Sequence, residues 1–196
     1  AIDRWDAQRG DTHVWLFDLP RGTSAPLRTG DGTDESAVWS ADGAALAFVG
    51  AFEDAVRLYT KDVKTDQVTK LADLERVSFP NSWSADGTML LTQNSNELDL
   101  IALERGEKTA KPFAGGLRTQ VQGEWSPDGK LVAYNSSETR SAAVYVQPRS
   151  GGARVLASTT VGNDPHWSGD GKHLYFEVRS TVTETEILGV RDGRVQ

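Results

Sequence analysis

Side chains able to do acid–base or metal chemistry near neutral pH are few in this chain. There are three histidines, His13, His166 and His173, and no cysteine. Without cysteine there is no disulfide, no thiolate metal site and no cysteine nucleophile. A three-histidine metal centre needs its rings in one coordination sphere. His13 and His173 each begin an expected strand and His166 sits beside a tryptophan, in non-equivalent places, so convergence on a metal is not expected. His166 is the most interesting of the three, because Asp164 falls on the same strand face. Serines are plentiful, yet no G-x-S-x-G elbow frames any of them, and "VSFPNSWS" lacks the glycines. The glycine pairs in "GGLRTQ" and "SGGARV" lack the lysine of a phosphate loop and read as turns. The acidic "DGTDES" from Asp31 lacks the spaced ligands and terminal glutamate of a calcium loop. The expectation is a protein without catalytic residues, resident metal or cofactor.

The bulk properties narrow the partners. The chain has 196 residues, 38% hydrophobic and 25% charged, enough for one domain with a substantial core. Its formal net charge is -7, with no basic stripe, which argues against nucleic acid as a partner. No apolar run is long enough to span a bilayer, so membrane insertion is not expected.

The elements that must position any site come from a repeat. "WSADGAALAF" at Trp39 recurs as "WSADGTMLLT" at Trp83, "WSPDGKLVAY" at Trp125 and "WSGDGKHLYF" at Trp167. The tryptophans stand 44, 42 and 42 residues apart, a period that suits a four-stranded propeller blade. Each repeat interior reads as short strands bounded by turn residues, with no apolar stripe at helical spacing. The runs are "ALAFV", "MLLT", "LVAY" and "HLYF"; then "VRLYT", "LDLIAL", "AVYV" and "TEILGV" from Thr185; then "VTKLA", "KPFAG" and "ARVLAS". The pairs Asp42–Gly43, Asp86–Gly87, Asp128–Gly129 and Asp170–Gly171 are hairpin signals, glycine supplying the positive φ. The motif is therefore a hairpin with a large aromatic anchor, and Trp39, Trp83, Trp125 and Trp167 are expected to act as spacers between sheets.

In "QVQGEWS", Val121, Gly123 and Trp125 share one face and Gln122 and Glu124 the other; in "NDPHWS", Pro165 and Trp167 oppose Asp164 and His166. The fold class expected is all-β, a propeller of four-stranded antiparallel blades at about 1–30, 31–73, 74–115, 116–159 and 160–196.

These residues resemble a known family. W-S-[AP]-D-G followed by "LVAY", "VYV" and "GG" with "VLAST", and Pro165-His166-Trp167 as P-x-W, are similar to the TolB-type beta-propeller repeat. "AIDRWD", "VWLFDL" and "WSPDGKLVAYNSSE" resemble propellers attached to some bacterial membrane serine/threonine kinases. Ala41, Ala85 and Gly169 depart from the proline usual in the turn. The resemblance implies a non-catalytic scaffold or sensor that binds a protein, a peptide or a cell-envelope component, outside the cytoplasm. It also implies rivals: the gating propeller of a prolyl-oligopeptidase-like serine peptidase, or a metal-dependent sugar lyase of propeller fold.

Recognition is expected at loops around one channel mouth. Those before each first strand hold Asp34, Glu35, Glu75, Arg76, Arg118, Gln120, Asn163 and Asp164, with His166 close by. Those between second and third strands hold Phe52, Glu53, Asn96, Glu97, Glu138 and Arg140. One period back from Trp39 falls before residue 1, so the first blade lacks its innermost strand. The expectation is a segment of a larger propeller, or one that associates through its incomplete edges.

Overall fold

The computed structural model describes every residue except 9, 29–31, 53–54, 73, 75, 95–96, 115–117, 139–140, 159–160, 188–189, 192–193 and 196, and no described segment is a helix. Antiparallel sheets follow one another along the chain. The first holds β1 (Ile2–Asp6), β2 (Asp11–Asp18) and β3 (Thr23–Pro26). The second holds β4 (Asp34–Trp39), β5 (Ala45–Phe52), β6 (Ala55–Asp62) and β7 (Val68–Ala72). The third holds β8 (Ser78–Trp83), β9 (Met89–Asn94), β10 (Leu98–Leu103) and β11 (Lys111–Ala114). The fourth holds β12 (Gln120–Trp125), β13 (Leu131–Ser136), β14 (Ala143–Pro148) and β15 (Val155–Leu156). The fifth holds β16 (Asn163–Trp167), β17 (His173–Val178) and β18 (Thr181–Glu186). A short hairpin follows, β19 (Val190–Arg191) with β20 (Arg194–Val195), and β20 lies against β14.

This is a five-bladed β-propeller arrangement. The innermost strands β4, β8, β12 and β16 lie beside one another in succession. In the first sheet, β1 and β2 lie against β4 as β5 and β6 lie against β8, so they hold the second and third places of a blade. The third strand of the last blade corrects the sequence expectation. It is Thr181–Glu186, "TVTETE", and not the apolar "TEILGV" from Thr185. Its exposed Val182 and Glu184 alternate with half-buried Thr183 and Thr185, so it carries no apolar run, though it pairs fully with β17 from Val178–Thr181 to His173–Glu186.

The core is a series of layers between sheets, which explains why the second strands are apolar on both faces. Leu131 and Ala133 of β13 pack toward Trp167, Leu174 and Phe176 of the next blade. Val132 and Tyr134 pack the other way, with Leu90, Leu100 and Trp125. Ala47, Met89, Leu91 and Ile101 fill the layer between blades two and three, and Val14, Leu27, Leu46 and Phe48 the one before it. Each fully buried large apolar side chain contributes about 1.5–3 kcal/mol. Sheets approach closely where β12 passes blade three: a Cβ on Gly123 would lie 2.7 Å from the Leu100 side chain.

The W-S-x-D-G hairpin closes by one device in all four copies. Serine Oγ donates to aspartate Oδ1 at 2.6–2.7 Å in Ser40–Asp42, Ser84–Asp86, Ser126–Asp128 and Ser168–Asp170. The same Oδ1 accepts a backbone N–H two residues on, from Ala44, Thr88, Lys130 or Lys172. The glycines sit at φ of 69, 89, 69 and 71°, where a side chain is strained. These hydrogen bonds, with the serine foremost for Asp42, Asp86 and Asp170, hold the carboxylates below the usual range.

Candidate functional site at the innermost strands

Innermost strands carry a repeated irregularity. Pairing slips between Glu35 and Val38, between Pro80 and Ser82, between Val121 and Glu124, and between Asn163 and His166. Each slip is a β-bulge, which re-aims side chains. Three bulges put a non-glycine residue three before the tryptophan at positive φ: Ser36 (57°), Gln122 (55°) and Asp164 (52°). Such conformations cost on the order of 1–3 kcal/mol each and persist where surrounding bonds over-determine them. Here the bonds are visible. The Asp3 carboxylate accepts from Ser36 N at 3.0 Å, and Gln122 Oε1 accepts from Asp164 N at 3.3 Å.

Between blades four and five the bulges gather a polar cluster. Asn135 Nδ2 donates to Gln122 Oε1 at 2.8 Å and to Asn163 Oδ1 at 3.1 Å. Gln122 Nε2 donates to Asp164 Oδ1 at 3.4 Å. One residue before the tryptophan, His166 Nδ1 meets Glu124 Oε2 at 2.9 Å, and its Nε2 lies 3.5 Å from Asp164 Oδ2. Trp167 Nε1 donates to the Glu124 carbonyl at 3.2 Å and locks the strands side by side. Gln122, Asp164 and His166 are exposed although they lie on innermost strands.

The hydrogen bond to Glu124, against the opposing cost of burial, pushes His166 up to about 9. The ring is therefore an imidazolium at neutral pH, held between two carboxylates. A folded-state value above the ordinary 6.5 means that its stabilisation is present below pH 6.5 and lost as pH rises through about 9. Exposure screens the pair, so the loss is under about 1 kcal/mol. NMR titration is expected to show the His166 ring shifting with a midpoint near 9, and the stability gap between wild type and His166→Gln closing over that range. A midpoint near 6.5 would refute the pairing.

The sequence-predicted residues fall in three groups. Asn163, Asp164 and His166 are brought together in this cluster. Arg76 and Arg118 are exposed on separate loops and do not join it. Gln120, expected at the mouth, is instead 0% exposed inside the core, and neither of its amide atoms has a hydrogen-bond partner among the described residues. The reason is its place on the strand face that packs between sheets. Asp34 is also buried, and it gathers His13 Nδ1 at 3.0 Å, Val14 N at 2.7 Å and Arg28 Nε at 3.0 Å. Glu35 is half-buried. Glu138 pairs with Arg154, and Glu97 accepts from Thr119 Oγ1 at 3.1 Å. Glu75, Glu53, Asn96 and Arg140 lie outside the described residues, as does the side chain of Phe52. Gln122, Glu124 and Asn135 were not chosen as site residues from the sequence. Their signal was available for two of them, since Gln122 and Glu124 oppose Trp125 on their strand.

All three histidines are held by carboxylates in separate places, His173 by Glu184 at 2.9 Å. Among the described residues no group of three metal-binding side chains converges.

Residues 35–192 match the TolB beta propeller domain. The chain belongs to the TolB beta-propeller family. TolB from Acinetobacter baumannii superposes on 94% of the chain with a TM-score of 0.72 at 18% identity, and the chain covers 48% of that protein. A prolyl endopeptidase structure superposes on 89% of the chain with a TM-score of 0.61 at 15% identity, over 31% of its own length. At such identities these two likenesses concern the fold. Among curated proteins, the uncharacterized peptidase YuxL of Bacillus subtilis is 31% identical over 180 residues. That match takes in 88% of this TolB-family chain and 26% of the relative, so the chain spans about a quarter of the relative's length.

Proposed function

We propose that this TolB-family propeller is a non-catalytic recognition module for a polypeptide, read at the innermost strands of blades four and five. The observation that carries the reading is the cluster of Gln122, Glu124, Asn135, Asn163, Asp164 and His166. It offers the Gln122 amide, the Asp164 carboxylate and the His166 imidazolium on exposed side chains, backed by half-buried Glu124 and Asn163 and by buried Asn135. Amides suit the groups of a peptide backbone. Both His166 nitrogens face carboxylates, so the ring is committed to charge pairing and not to activating a hydroxyl. Placement outside the cytoplasm belongs to the same reading, by analogy with the family.

A peptide array probed with wild type and with Gln122→Ala/Asp164→Ala/His166→Ala tests it. Peptides that bind wild type are expected to lose at least about tenfold in affinity to the triple variant. Circular dichroism and urea unfolding of the variant check that the fold is kept, since Gln122 Oε1 also holds the Asp164 bulge. Equal binding by both proteins would overturn the reading.

The likeness to YuxL favours a second reading, a propeller that gates the active site of a serine peptidase. In that case removing residues 1–196 from the longer protein should let it cleave large folded substrates that the whole protein spares. Unchanged size selection would eliminate it.

A further inference from the structure

The four blades differ in what covers their repeated tryptophan, and the difference exposes a socket. The residue that follows the third strand's last register partner differs from blade to blade. It is Val63 in blade two, Glu104 in blade three, Arg149 in blade four and Ile187 in blade five. Ile187 packs into the Trp167 layer. The Arg149 guanidinium lies 4.9 Å from the centre of the Trp125 ring. It also reaches into the preceding blade's hairpin, with Nη1 donating to Asp86 Oδ2 at 2.5 Å and Nη2 to Thr88 Oγ1 at 2.7 Å.

One blade earlier the same place is open. A cavity of about 460 Å³ lies between the Ser40–Ala45 hairpin of blade two and Trp83 of blade three. Asp42 stands where Asp86 does, its Oδ1 taken by Ser40 and Ala44. Leu71 lines the wall as Phe113 covers Trp125 in the next blade. In place of the arginine stands Glu104, which turns outward to Lys111 at 3.2 Å. Arg105 acts on Asp42 through space only; its stem lies along Gly87, 2.9 Å from where a Cβ would be. Ala44 replaces Thr88, so the hydroxyl partner is missing while the carboxylate and indole remain.

We propose that this cavity receives an arginine side chain from a partner polypeptide, its guanidinium on Asp42 and over Trp83. The chain itself demonstrates the fit, since it seats its own Arg149 on the same two groups one blade on. Guanidinium suits this pairing because it is planar, weakly hydrated, and binds both a carboxylate and an aromatic face. The socket lies between blades two and three and does not depend on the cluster between blades four and five.

The test uses N-acetyl-L-arginine amide as probe, with N-acetyl-L-norleucine amide as neutral control, read by the NMR indole signal of Trp83 assigned with Trp83→Phe. The arginine amide is expected to shift that signal saturably in the millimolar range, and norleucine amide not to. Free arginine, which carries its own carboxylate and ammonium, is expected to bind no better than the blocked amide. Asp42→Asn should weaken binding about tenfold. Because that change also touches the hairpin, Glu104→Arg provides a second test: the chain's own arginine should fill the socket and abolish the shift. No Trp83 response, equal responses to both amides, tighter binding of free arginine, or undiminished binding by Glu104→Arg would each overturn the proposal.

Discussion

Trp125→Ala is expected to lower the unfolding free energy by about 3–5 kcal/mol, as for large-to-small changes in a packed core. Trp125 is 5% exposed and belongs to the layer between blades three and four. Phe113 packs edge-to-face with its ring at 5.7 Å, and the Arg149 guanidinium lies over the ring at 4.9 Å. Truncation empties that layer and removes the platform on which Arg149 bridges to Asp86. The same substitution at Trp39, which is 41% exposed, is expected to cost no more than about 1 kcal/mol, within the range of surface changes. Urea denaturation of both variants checks the contrast. Equal losses would mean that motif position alone sets the energetics and that the neighbours described above do not matter.

Asp34→Ala is expected to cost about 3–5 kcal/mol, because it breaks a buried pair by removing one partner. Asp34 is 1% exposed and its two oxygens hold His13, Arg28 and the backbone of Val14. Without the carboxylate, a largely buried guanidinium loses this counter-ion and a buried N–H loses its acceptor. The bonds join blade one to blade two, so hydrogen exchange should speed first in β2. A loss below about 1 kcal/mol, the size of an exposed pair, would show that the cluster is solvated and unimportant to the fold.

How much of this was legible beforehand varies with the physics of each element. Strands such as Leu98–Leu103 and Val68–Ala72 were read at their observed bounds, because local alternation and flanking turn residues determine them. The strand Thr181–Glu186 was not, since an exposed polar strand is made by its pairing with β17 and by nothing within itself. Of the cluster proposed as the site, the sequence names Asn163, Asp164 and His166, and the fold buries Gln120, which the sequence places in a mouth loop.

The repeat, the hairpins and the propeller are readable from the chain alone. Those rest on short-range terms: a serine and an aspartate two residues apart, a glycine free to take positive φ, and apolar runs of strand length. Which tryptophans are buried is set by the packing between blades. Arg149 lies over Trp125 and Ile187 packs with Trp167, whereas Glu104 turns to Lys111 and Trp39 stays 41% exposed. Packing between blades also brings Gln122 to Asp164 and Glu124 to His166, each pair 42 residues apart in the chain. Contacts between blades join residues a full period apart, and a bulge at each inner strand turns them toward or away from one another. No local pattern encodes that meeting, because it arises from the packing of one sheet against the next.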